Sequence, residues 1–335
     1  MHRATALLHH VDVLYSWSVG VLNAQTLGFW AHLDRTAPHA DFTAFDEEGI
    51  GALYVDYQRN RAPEAAPALL APDAPLHPAG DRILELWTRR LRELGVDDPG
   101  LRNRTNPRIG LDDLVALLAE LHLCIDQRRW GGPVHLDATG AGMPLRLLVS
   151  ADGTPNYLAS MLRELVPLVR DYDDLVLTCD REARPDFALV RHVLERLGAR
   201  VHLVVLGRVR GADGHIKSAR HGGWEGLTAA ALAERYLDLV GPDIYRLGMR
   251  LYFIAVLGRG DPQPHRTELL RRCMGRAQRV LKMQAPQPAE TTLRDLLARH
   301  QRPHPCVDPY RLTTGLLAQH RRGTTNTALL DEVYL

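Results

Sequence analysis

Between Leu145 and Leu206 short apolar runs alternate with helix-patterned stretches, and no other feature limits the fold as strongly. Leu145 to Val149, Leu175 to Thr178 and Val201 to Leu206 are short, largely apolar runs, as strands are, and the last is rich in β-branched residues. Leu158 to Val169 and Phe187 to Leu197 carry apolar side chains at helical spacing, and Gly198 closes the second. Strands separated by single helices predict a parallel sheet with right-handed crossovers. Ligands on such sheets bind beyond the carboxyl ends of the strands. The loops there contain Asp152 to Tyr157, Asp180 to Arg184, and Lys217 to Arg220. A site at that rim is the expectation.

The third loop follows the strand Val201 to Val209 and carries glycines at 211, 214, 222, 223 and 226 before an alanine-rich helix start. Lys217 and Lys282 are the only lysines among 41 basic residues, so a lysine in this loop stands out. A point-charge ammonium on glycine-rich backbone suits phosphate binding. An ordinary solvated loop is the alternative reading.

The rest of the chain sets the frame. Its 335 residues are enough for one large or two moderate domains. A net charge of +1 gives no global attraction to nucleic acid. Cys124, Cys179, Cys273 and Cys306 lie far apart, which fits a reducing compartment and argues against a disulfide framework or a zinc knuckle. No leader pattern and no membrane-length apolar run occurs, so a cytoplasmic protein with no membrane partner is expected. Val11 to Leu33 has helical apolar spacing, with Gly20 in its middle and His10 at its N-terminus, where backbone N–H groups favour anions. Residues 61–80 carry five prolines and read as a linker. Amphipathic helices at 81–95 and 111–124 follow, and residues 265–335 are mostly helix-patterned.

Several motifs now fall in a recognisable order. Leu147-Leu148-Val149-Ser150-Ala151-Asp152-Gly153-Thr154-Pro155-Asn156-Tyr157-Leu158 resembles the strand-turn motif L-V-x-S-D-G-T-x-T-Y of arginyl-tRNA synthetases, within class I of the aminoacyl-tRNA synthetases. Leu175 to Phe187 resembles that family's strand and adenosine-side segment, keeping Asp180. Lys217-Ser218-Ala219-Arg220-His221-Gly222-Gly223 resembles K-M-S-K-R-x-G, with Arg220 in place of the second lysine. His10-Val11-Asp12-Val13-Leu14 aligns with H-V-G-H-L, so Asp12 and Val13 replace its glycine and second histidine. Met161 stands where the family has an aspartate that helps hold the substrate guanidinium. The resemblance covers about residues 8–260.

The resemblance implies a Rossmann-like (HUP-type) α/β core. Residues 1–60 would form its first half, 61–130 an inserted linker and helical block, 131–260 the second half and 261–335 a C-terminal helical region. It implies activation of an amino-acid carboxylate by ATP with Mg²⁺, giving an aminoacyl adenylate. The acceptor would be a small molecule or a tRNA end. Lys217, Arg220 and His10 would act on the phosphates, with Gly20 and Asp180 also at the nucleotide. Asp152, Asn156 and Tyr157 would line the amino-acid pocket. No metal-ligating side chains are implied. A catalytically silent relative that binds a nucleotide or a partner as a regulator is the second reading, and a module for some different ligand is the third.

Overall fold

The computed structural model describes residues 24–60, 76–96, 101, 108–207, 209–210, 223–257 and 263–282. Among them the α-helices are α1 (Ala24–Thr36), α2 (Glu47–Arg59), α3 (Pro78–Glu93), α4 (Leu111–Glu120), α5 (Tyr157–Leu165), α6 (Arg184–Arg196), α7 (Ala229–Val240), α8 (Pro242–Leu257) and α9 (Thr267–Lys282). The strands are β1 (Cys124–Asp126), β2 (Val134–Leu136), β3 (Arg146–Val149), β4 (Asp174–Asp180), β5 (Arg200–Leu206), β6 (Val209–Arg210) and β7 (Gln263–Pro264). The architecture is mixed α/β. The chain divides into two compact units, one of Tyr15–Glu85 with Gly100–Leu206, the other of Met1–Leu14, Leu86–Pro99 and Gly207–Leu335.

The first unit contains the strand–helix–strand pattern. β4 and β5 pair in parallel over seven residues, from Asp174 opposite Arg200 to Asp180 opposite Leu206. Leu175, Leu177 and Cys179 alternate inward, while Val176 and Thr178 face outward. The buried side belongs to one core with the apolar stripe of α6, formed by Leu189, Val190, Val193 and Leu194. A period of two on the strand thus meets a period of about 3.6 on the helix. Leu114, Leu118, Leu136, Leu148, Leu158 and Leu162 complete this core, each at most 1% exposed. Truncating any one of them to alanine costs about 2–5 kcal/mol.

The expectation of one parallel sheet through all three strand segments is met at β4 and β5. It is corrected at the first. Arg146–Val149 pairs antiparallel with β2, which pairs antiparallel with β1, so the described residues show a three-stranded meander beside a parallel pair. Short connections account for this. Antiparallel neighbours can be joined by tight turns, whereas parallel ones need a long crossover. The β1–β2 turn is the single 3₁₀ turn Arg128–Trp130, closed by Gly131 at φ +75°.

The same unit holds an aromatic cluster built by α1, α2 and the residues before α3, with Phe29, Trp30, Phe42 and Tyr57 buried. Asp46 starts α2 by accepting the Gly49 N–H at 2.7 Å. Gly28 is required by contact: a Cβ there would lie 2.3 Å from the Tyr57 hydroxyl.

In the second unit α7, α8 and α9 enclose Leu232, Tyr236, Tyr245, Leu247, Tyr252, Leu270, Met274 and Ala277. Gly248 sits against Met274, where a Cβ would meet Sδ at 2.2 Å and the backbone Cα at 3.1 Å. Among the described residues no helix is long and apolar enough to cross a membrane. Cys124, Cys179 and Cys273 are free thiols.

Candidate functional site

Strand β3 delivers the chain into the turn that the sequence singles out. Gly153, at φ +85°, donates its N–H to the Ser150 carbonyl at 2.9 Å, and Thr154 returns its carbonyl to the Ser150 N–H at 3.0 Å. The Asp152 carboxylate closes this turn, accepting from the Ser150 hydroxyl at 2.6 Å and the Thr154 N–H at 2.9 Å. The Ser150 hydroxyl, followed by that N–H, holds the Asp152 carboxyl below the usual carboxylate range.

Asn156 then starts α5. Its Oδ1 accepts the Ala159 N–H at 3.0 Å, an N-cap, while its Nδ2 donates to the Leu147 carbonyl. Its backbone N–H also donates to the Leu148 carbonyl at 2.9 Å. One residue therefore fastens the helix start to the preceding strand. The amide does this with two separate atoms, an acceptor oxygen turned to the helix and a donor nitrogen turned to the strand.

Tyr157 follows, with nearly half its surface exposed. Its hydroxyl donates to Oδ2 of Asp186, in the first turn of α6. The other oxygen, Oδ1, accepts from Nε of Arg146 at 3.2 Å. Burial, then the hydrogen bond and charge of Asp186, push the Tyr157 phenol well above its ordinary value, and Arg146 opposes them. Tyr157 is therefore a neutral hydroxyl at pH 7, a donor already committed to Asp186. A carboxylate in a first helical turn is favoured by the N–H groups left unpaired there.

Asp180 ends β4. Its Oδ1 accepts the N–H groups of Glu182 and Ala183, both at 2.9 Å, and so shapes the turn into α6. A carboxylate fixed beyond the carboxyl end of a parallel strand has the chemistry to accept from ribose hydroxyls or an α-ammonium.

Of the sequence-predicted residues, the structure thus describes Asp152, Asn156, Tyr157 and Asp180, and brings the first three onto one strand-to-helix turn. His10, Gly20, Lys217 and Arg220 lie outside the described residues, as do Asp12 and Val13. Met161 is 8% exposed and belongs to the apolar core. Arg146 and Asp186 escaped the sequence reading. The only signal for Asp186 was an acidic residue beside Pro185 at a helix start, and Arg146 carried none. Among the described residues no group of three His, Cys, Asp or Glu side chains is placed to hold a metal ion.

Comparison with known proteins gives no match to any protein-family model and none to a curated protein. Among solved structures, an arginyl-tRNA synthetase from Plasmodium falciparum superposes with a TM-score of 0.54 at 12% identity, over 96% of this chain and 59% of that one. The fold is aminoacyl-tRNA-synthetase-like. A structure described as an arginyl-tRNA synthetase from Campylobacter jejuni matches 73% of this chain and 49% of its own, at 16% identity and a TM-score of 0.35. The chain thus spans about half the length of the synthetase structures it resembles, and at these identities the likeness concerns the fold alone.

Proposed function

We propose that this chain is an arginyl-tRNA-synthetase-like paralogue of class I type, built on a Rossmann-like core. It activates an amino-acid carboxylate with ATP and passes the aminoacyl group to a small-molecule acceptor or a tRNA end. The observation that carries this reading is the fold likeness to a synthetase over 96% of the chain, with the sequence motifs in the same order. ATP supplies the electrophilic α-phosphorus, and Mg²⁺ offsets the charge of the phosphates. The work left to protein is positioning, together with donors and cations aimed at the charge that develops. Lys217, Arg220 and His10 are the residues for the phosphates, with Gly20 at the nucleotide. Asp180, a carboxylate held by two backbone N–H groups, is suited to ribose or the α-amino group. Asn156 and Tyr157 set the wall of the amino-acid pocket, over the turn that Asp152 closes.

The test is amino-acid-dependent ATP–pyrophosphate exchange by the purified chain, with Lys217→Ala as the control variant. Exchange that falls in the variant supports the reading, and no exchange with any amino acid, with or without tRNA, ends it.

A second reading has its own support. Asp152, Asn156 and Asp180 all spend hydrogen bonds on shaping turns, as structural residues do, and Asp12 and Val13 depart from the phosphate motif. A silent relative that binds a nucleotide or a partner as a regulator fits those facts. Replacing Asp12 with Gly and Val13 with His separates the two readings: pyrophosphate exchange that appears only in the double variant favours the silent one.

A further inference from the structure

Arg146, Tyr157 and Asp186 come from a strand and two different helices, yet they meet at one carboxylate. Tyr157 takes Oδ2 and Arg146 takes Oδ1 through Nε. That pairing leaves the Nη1–Nη2 edge of the guanidinium without a hydrogen bond among the described residues. This edge is the planar fork with which arginine grips a carboxylate through two parallel bonds. The Arg146 side chain is 45% exposed and that of Asp186 19%, so the fork lies outward of the carboxylate that orients it. An ion pair this open adds little to stability. Its geometry serves positioning better than folding.

We propose that Arg146 is a carboxylate anchor, positioned by Asp186 and Tyr157, and that the amino acid this chain takes carries an acidic side chain. The proposal rests on the reading that the chain activates an amino acid. Such a substrate brings two carboxylates. The α-carboxylate must keep its lone pairs for attack on phosphorus, and a guanidinium fork closed on it would withdraw them. The side-chain carboxylate has no such duty and is the one the fork takes. A cationic side chain would instead meet the like charge of Arg146, and a neutral amide of the same shape would forgo the charge-assisted bonds. Asp186 is a positioning residue: its charge repels an incoming carboxylate, while its hold on Nε orients the more exposed Arg146 side chain.

The experiment uses the full chain in two arms. The first measures ATP–pyrophosphate exchange with each of the common amino acids separately. The second titrates glutamate, aspartate, glutamine and arginine calorimetrically without ATP. Exchange is expected to peak with aspartate or glutamate. Arg146→Met is expected to raise KM for that amino acid about tenfold or more, with a smaller change in kcat and none in KM for ATP. Arg146→Lys, which keeps charge without the fork, recovers part of the loss, and Asp186→Asn falls between. Best exchange with a neutral or cationic amino acid, an unchanged KM in Arg146→Met, or a shift in the ATP KM instead overturns the anchor while leaving activation standing. The last of these outcomes assigns the fork to a phosphate. No exchange at all ends the activation reading, and calorimetry then decides the anchor alone. Binding of aspartate or glutamate that Arg146→Met abolishes and glutamine does not share supports it; absent or unaltered binding of both acidic amino acids overturns it. Should Arg146→Met melt early, weakened binding of the acidic amino acid by Arg146→Lys at wild-type melting temperature supports the anchor, and unweakened binding overturns it.

Discussion

The imidazole of His77 lies flat on the indole of Trp30, ring centroids 4.9 Å apart and planes within 2° of parallel. His77 Nδ1 accepts the Ala79 N–H at 3.1 Å, and Nε2 stands 3.3 Å from the Asp34 carboxylate. The acceptor must be unprotonated, so this start of α3 depends on neutral imidazole. Burial lowers the pKa of His77 below its ordinary 6.5, with Asp34 opposing. The unfolded chain therefore binds a proton at a higher pH than the folded one. The contribution is complete above about pH 6.5 and is lost as pH falls through the folded-state value. Urea unfolding at pH 7.5 and 5.5 should show a smaller pH-dependent loss in His77→Asn than in the wild type. Equal losses would remove His77 from the account.

Asn156→Ala removes a helix cap and the bond to the Leu147 carbonyl in one step. Loss of the cap alone costs about 0.5–2 kcal/mol, and Asn156→Asp, which keeps the acceptor, should cost less. Denaturant midpoints at unchanged slope are the measurement.

The phenol of Tyr157 reports on both its neighbours, in opposite directions. Asp186→Asn takes away a negative charge that disfavours phenolate and should lower the Tyr157 pKa. Arg146→Met takes away the charge that opposes the rise and should lift it further. Phenolate absorbance on raising pH, read as the difference from Tyr157→Phe, isolates this residue. Shifts of the same sign in both variants would contradict the pairing.

Gly248→Ala forces a methyl group towards Met274, whose Sδ would lie 2.2 Å away and whose Cα 3.1 Å. Overpacking of this kind costs about 1–3 kcal/mol. Met274→Ala in the same chain should relieve part of the added penalty, because the sulfur can be removed and the backbone contact cannot. A thermodynamic cycle on the four proteins gives the coupling.

Much of the first unit was legible in the sequence because its signals are local. The helix after the turn, expected from Leu158 and beginning at Tyr157, the turn itself and the pair β4 and β5 follow from spacing, β-branched residues and the Asp-Gly of the turn. Strands β1 and β2 are three residues each, too short to display alternation, and so went unread. The partner of β3 was misassigned for a related reason. Pairing is decided by connections and by which face another layer covers, and Leu147 alone, at 40% exposed, gives no hint of either. α2 carried a readable start at Asp46 with Glu47 and Glu48 behind it, a signal the apolar pattern obscured. At the site, residues on one turn were found together, whereas Asp186 joins them only when α6 is laid over the strands. No spacing rule encodes that.

Arg146, Tyr157 and Asp186 lie within about forty consecutive residues, joined through strands β3 and β4, the turn after β3 and short helices. Loops of that length close at small entropic cost, and structure dominated by near-neighbour contacts assembles fast. The carboxylate cluster can therefore be complete as soon as α6 has docked. The cluster calls on nothing beyond β5, so a chain ending at Leu206 should already hold it, with the Tyr157 phenol as the reporter.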